Sequence, residues 1–304
     1  MSGIQVVAPK RVTLVDDDGL EVRRTLPTLG RSLIGAWCFI DHYGPEDVSD
    51  HGGMQVAPHP HTGLQTLSWL FAGEVEHRDS AGNHALVKRG EMNLMTAGRG
   101  ISHSEMSTQS ISTLHGVQLW IALPDIARHT DPRFEHYIPA LTSFAGGVAR
   151  VFVGSLLGET SPVRTHSPLV GAQIDLDPGT SLELAIDPNM EHGILLDQGD
   201  LRVDDVGLEP SELAYATAER SVIRLESTTG ARVMLLGGTP LGEQILMWWN
   251  FIGRSHDEIA AFREQWNAEV TGDATSHQFG MPIGDDTAPL LAPQMPPLRL
   301  KPRG

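Results

Sequence analysis

From residue 66 to residue 123 the chain repeats one short pattern: a run rich in Val, Leu, Ile and Thr, then a break. The runs 66–71, 75–79, 84–87, 92–95 and 114–123 end in turn at Gly73, at the Ser-Ala-Gly-Asn of 80–83, at Gly90, at Thr96-Ala-Gly-Arg-Gly100 and at Pro124. Branched and aromatic side chains favour strands, and Gly and Pro punctuate them. Earlier runs at 11–15, 21–26 and 37–42 fit the same pattern, and 46–58 is a polar loop carrying Gly52 and Gly53. A second series follows at 149–153, 172–176, 181–186, 192–196, 201–203, 213–216, 221–225 and 231–236. With 32 glycines and 20 prolines available for turns, the expectation is an all-β chain of sandwich or barrel type. The shared rhythm of the two series suggests a duplicated barrel. Pro, Gly, Ser and Thr gather over 139–168, which places the domain boundary there, as 1–145 and 146–304.

One helix interrupts the pattern. Ser255-His-Asp-Glu258 fits a capping box, and Ile259, Phe262, Trp266 and Val270 follow at helical spacing. The helix is expected over about 255–270, lying on a barrel. Prolines 289, 293, 296, 297 and 302 make the last stretch an extended arm, whose basic end, 299–303, either docks on the acidic body or frays.

Several function classes are excluded early. A net charge of −16 opposes phosphate tracking, so direct nucleic-acid binding is not expected. No apolar run approaches the ~18 residues that span a bilayer, and the first eighteen residues lack the apolar core of a signal peptide. The single cysteine, Cys38, allows no intramolecular disulfide and no thiolate zinc site. These features fit a cytoplasmic protein.

Chemistry concentrates in His59-Pro60-His61 and His103-Ser104-Glu105. Residues i and i+2 of a strand share a face, so two such strands can aim three imidazoles and a carboxylate at one point. A lone HxH says little, because fourteen histidines in 304 positions give about 0.6 such pairs by chance. Proline cannot donate to a ladder, which puts the first pair at a strand start or a barrel rim. Three imidazoles and one carboxylate suit Fe(II) and also Mn, Co, Ni, Zn or Cu, with open positions left for a substrate. The alternative is a set of interior histidines satisfied by hydrogen bonds.

These segments resemble the pirin family of the cupin superfamily. The resemblance rests on His59-Pro60-His61, Thr96-Ala-Gly-Arg-Gly100 and His103-Ser104-Glu105-Met106. It extends to Asp41-His-Tyr-Gly-Pro45, Gly154 with Ser161-Pro-Val163, Gly237-Gly-Thr-Pro-Leu-Gly-Glu243 and the closing 298–303. It implies a bicupin with metal in the N-terminal barrel only, held by His59, His61, His103 and Glu105. It also implies iron, and quercetin 2,3-dioxygenase activity on a flavonol with Glu105 as base. A second implied role is a metal-sensing interaction protein that binds a transcriptional or metabolic partner. Many cupins place a glutamate ligand where this chain has Gln65, which is therefore expected behind the ligands.

Other candidates carry two readings each. Arg99 either stabilises an anionic substrate or pairs with a nearby carboxylate. His77 and Asp79 orient ligands or face solvent, with solvent favoured. His42 shuttles protons at the metal mouth or is structural. His192 stands alone and reads as packed or on the surface. Trp248, Trp249 and Phe251 read as packing between domains, with substrate stacking as the alternative.

Overall fold

The computed structural model describes residues 3–14, 20–50, 52–108 and 110–304. Strands dominate, as the runs require. The run that opens at Arg11 forms the strand Lys10–Thr13, and its last residue, Val15, lies outside the described residues. By packing, the chain divides into two compact units built from interleaved segments. One comprises 1–12, 23–42 and 137–241; the other comprises 13–22, 43–136 and 242–304.

In the first unit, a seven-stranded sheet runs Ile4–Val7, Leu213–Ala216, Glu191–Gly199, Ala231–Gly238, Leu169–Leu176, Gly147–Val153, Thr142–Phe144. A four-stranded sheet runs Thr180–Ala185, Val222–Ser227, Leu201–Val203, Val206–Leu208. The period of two decides what fills the space between them. Ala172 pairs with Leu235 and Ile174 with Val233, so the same parity of both strands points inward. There these side chains meet Leu184, Ile223 and Leu225 of the smaller sheet. The cluster between the sheets is built from Ala, Val, Leu and Ile.

The second unit repeats the plan. Its larger sheet holds, in order, the strands Met92–Thr96, Leu64–Ala72 and Thr113–Ala122, with residues 43–47 of the strand Trp37–Asp47 beside the last. Its smaller sheet is ordered Gln55–His61, Ile101–Ser107, Glu74–Asp79, His84–Lys88. The two histidine-bearing strands are therefore neighbours, paired antiparallel with His103 opposite His59.

The helix spans His256–Thr271 and belongs to this second unit together with the chain that follows it. Ser255 caps it by accepting the Glu258 N–H, and Gly272, at φ 81°, closes it in the left-handed region. Only half of the capping box forms, because the Glu258 carboxylate instead accepts the Arg254 N–H. Ile259 and Trp266 are fully buried against Phe251, Phe279 and Ala292. The last stretch is extended and docked. Buried Glu269 accepts the N–H groups of Gln278 and Gly280, and Trp266 Nε1 donates to the Leu290 carbonyl oxygen. Leu290 N–H in turn reaches the Pro58 carbonyl oxygen, beside the first histidine pair.

Trp266 thus packs the helix and holds the arm. Trp266→Ala is expected to cost about 3–5 kcal/mol, through lost burial and a residual cavity. A urea titration should show an earlier midpoint, and an unchanged midpoint would mean that the arm and helix hold without it.

Candidate metal centre

The strand Gln55–His61 ends in the histidine pair and lies at the edge of its sheet. Its free side makes no ladder, so Pro58 and Pro60 are tolerated. The pairing slips between His103 and Glu105: His103 faces His59, but Glu105 faces Val56. One extra residue is therefore accommodated on the histidine strand, at Ala57-Pro58. A bulge of this kind bends a strand and re-aims its side chains.

The result is a convergence of three rings. The centroids of His59, His61 and His103 lie 5.0, 4.4 and 4.9 Å apart pairwise, and one nitrogen of each falls within 4.8 Å of the others. His59 Nδ1 donates to the Ala57 carbonyl oxygen at 2.9 Å, and His61 Nδ1 donates to the Asn250 carbonyl oxygen at 3.1 Å. A carbonyl only accepts, so each Nδ1 carries the proton and each Nε2 carries a lone pair. His61 Nε2 and His103 Nε2 approach to 3.0 Å. Burial is the main reason that the rings stay neutral. It pushes the His59 pKa down to about 4 and those of His61 and His103 well below the ordinary value.

Glu105 meets this group from another side. Its carboxylate joins His103 and His77, with ligand atoms again within 4.8 Å of one another. Ser68 and Gln118 sit opposite each other on the facing sheet. The Ser68 hydroxyl lies 2.9 Å from Glu105 Oε1, and Gln118 Nε2 lies 3.4 Å from Oε2. Burial raises the Glu105 pKa, while neighbouring His77 and the Ser68 and Gln118 hydrogen bonds pull it back only in part. On the same face of the larger sheet, Trp120 packs edge-on to His61 at 5.1 Å.

His77 and Asp79 correct the solvent-facing expectation. Both are buried, His77 Nε2 lies 3.2 Å from Asp79 Oδ2, and His77 Nδ1 lies 3.3 Å from His103 Nδ1. Their strand alternates, with Val75, His77 and Asp79 inward and Glu76 and Arg78 less buried. That parity, anchored by Val75, was a usable signal. Ser68, Gln118, Trp120 and Asn250 carried none.

Gln65 is not behind the histidines. It is three residues from Ser68 on a strand of regular register, so it takes the opposite face, and its Nε2 donates to Thr96 Oγ1. Arg99 is exposed and paired with Asp131. His42 lies in the other unit, where its ring nitrogens meet Asp197 Oδ1 at 2.7 Å and Ser211 Oγ at 3.0 Å. His192 is packed and buried. Trp248, Trp249 and Phe251 pack in the cluster of the helix and arm.

The pirin family profile matches residues 19–121, and that of the pirin C-terminal cupin domain matches 171–272. The chain belongs to the pirin family. Among its relatives is a Pseudomonas aeruginosa protein provisionally named quercetin 2,3-dioxygenase, 42% identical over 91% of this chain and 87% of its own length. A crystal structure of quercetin 2,3-dioxygenase from Acinetobacter baumannii superposes with a TM-score of 0.91, at 37% identity, over 98% of this chain and 97% of that one. Bacterial pirin YhhW from Escherichia coli, solved in complex with nickel(II), shares the fold at a TM-score of 0.63 and 21% identity, over 78% and 99% of the chains. The pirin fold is a bicupin, and the two sheet pairs described above are its two barrels. Among the described residues no helix is long and apolar enough to cross a membrane.

The donor set in this pirin fits a divalent cation. Metal–imidazole bonds of about 2.1 Å at right angles place two nitrogens about 3.0 Å apart. The His61–His103 separation has that value, so the two Nε2 atoms are spaced as a shared cation requires.

The depressed histidine pKa values also set how the metal-free protein responds to acid. Below about pH 6.5 the unfolded chain takes up protons that the folded centre refuses, so stability falls as pH drops from 6.5 toward 4. Glu105 acts in the opposite direction, because its raised pKa gives stability that is lost as pH rises. With three histidines against one carboxylate, the urea midpoint of metal-free protein should be lower at pH 5 than at pH 7. The drop should shrink in His59→Ala, and an equal drop in both proteins would remove His59 as a contributor.

Proposed function

We propose that His59, His61, His103 and Glu105 hold a divalent metal, iron(II) first among them, and that the protein opens flavonols with dioxygen. The observation that carries this reading is the convergence of three buried, neutral imidazoles, one of which, His103, also stands beside a carboxylate of raised basicity, Glu105. The quercetin 2,3-dioxygenase name of the Acinetobacter structure supports the choice of substrate class. Nitrogen and carboxylate donors suit iron as well as nickel, cobalt, manganese, zinc and copper.

When bound, the metal supplies Lewis acidity that lowers the cost of deprotonating the flavonol 3-hydroxyl. The chain does the rest. Glu105 accepts that proton, since burial makes it a stronger base than an exposed glutamate. Ser68 and Gln118 hold the carboxylate by hydrogen bonds from the facing sheet. Trp120 presents an apolar edge beside His61 and keeps water from that flank.

Iron-loaded protein should consume oxygen in the presence of quercetin at a rate above iron alone. Glu105→Gln, which keeps the shape but not the base, should lose 10²-fold or more. Uptake no faster than the metal control would end the dioxygenase reading. Titration with Ni(II) should give one ion per chain, and His61→Ala should abolish tight binding. Retained stoichiometry in that variant would place the metal elsewhere.

A further inference from the structure

His59 and His61 each spend the outer nitrogen on a backbone carbonyl, which leaves the inner one free. The outer nitrogen of His103 is opposed by another imidazole, His77, at 3.3 Å. Two imidazoles can share that contact in either direction, and the His61 Nε2 lone pair at 3.0 Å competes for the same His103 proton, so something further along must decide where it sits. Asp79 is fully buried at the end of the chain of contacts. Its Oδ1 accepts the backbone N–H groups of Ala81 and Asn83 at 3.0 and 2.9 Å, and the Asn83 side-chain amide contacts both of its oxygens. This turn fixes the carboxylate as an acceptor. Asp79 Oδ2 faces His77 Nε2 at 3.2 Å. The proton must then sit on His77 Nε2, which leaves a lone pair on His77 Nδ1. Phe134 stacks on the His77 ring at 4.8 Å and 30° and holds its plane.

We infer that Asp79 and His77 form a positioning relay that sets His103 in its Nδ1–H tautomer, so that His103 Nε2 is presented to the metal. This rests on the metal-centre reading above and assigns neither residue as a ligand. The sequence of contacts is Asp79 accepting from His77, His77 accepting from His103, and His103 offering its remaining lone pair toward His61 at 3.0 Å. Outer partners of this kind orient metal-bound histidines, and losing one typically costs 10–100-fold in metal affinity. Here the task falls to two side chains, where the other two histidines use carbonyl oxygens.

The test is direct on metal-free protein labelled with ¹⁵N at histidine, the His77 and His103 signals being assigned from single variants. Long-range ¹H–¹⁵N spectra should show His103 as the Nδ1–H tautomer and His77 as the Nε2–H tautomer. His103 found as Nε2–H would overturn the relay. In Asp79→Asn the amide can donate to His77 Nε2, which reverses the relay and puts a proton on His103 Nε2. Co(II) affinity measured by competition should then fall about 10–100-fold. His77→Phe keeps a ring against Phe134 but removes the acceptor, and should fall by a similar factor. Affinities equal to wild type in both variants would overturn the proposal. Failure of the wild-type protein itself to bind Co(II) would sink the metal reading, while the tautomer spectrum would still decide the relay.

Discussion

Nitrogens that converge on one point cannot all carry protons. In this protein the constraint is met by turning protons outward: His59 to Ala57 and His61 to Asn250, through hydrogen bonds to carbonyl oxygens. Those acceptors come from different parts of the second unit. Ala57 belongs to the bulged histidine strand, whereas Asn250 sits in the hairpin Leu246–Trp248 and Phe251–Gly253. The site is therefore a property of the folded unit and not of two motifs. Burial enforces the same arrangement, because a charged imidazole would have to be held without water among three others.

The two units show how one plan of sheets yields different interiors. Each pairs a larger sheet with a four-stranded one. In the first unit the inward parity carries Ala, Val, Leu and Ile. In the second, inward positions carry His61, His77, His103, Glu105, Ser68 and Gln118. Polar groups at that depth must be hydrogen-bonded to offset lost hydration. The hydrogen bonds around Glu105 and Asp79 provide this, and they also aim the side chains. The helix and arm complete the second unit: Ser80 and Ser102 donate to the carbonyl oxygens of Phe279 and Gly280, tying the arm to the strand that bears His103.

Much of this was legible in the chain, and the exceptions have definite causes. The runs of branched residues between glycines marked the strands, because strand formation and turn chemistry are local. The helix was readable from Ser255 and the spacing of Ile259 and Trp266, for the same reason. His59 and His61 were readable as a pair, and His103 with Glu105, because i, i+2 spacing fixes a shared face; the family resemblance joined the two pairs. Gln65 was misplaced because motif spacing ignores parity, and parity puts it with Thr96. His77 and Asp79 were placed toward solvent on their polarity alone, whereas they share the parity of Val75, which points inward.

The sequence alone determined the all-β class, the position of the one helix, the three histidines that meet and, through its motifs, the family. Only the tertiary structure decided which groups surround them. Ser68 and Gln118 come from the facing sheet, Asn250 from a hairpin about 190 residues on from His61, and the slip between His103 and Glu105 exists only in the pairing of two strands. Local preference sets what each segment becomes, whereas the partners of a buried polar atom depend on which segments the core brings together, and that is a property of the whole chain.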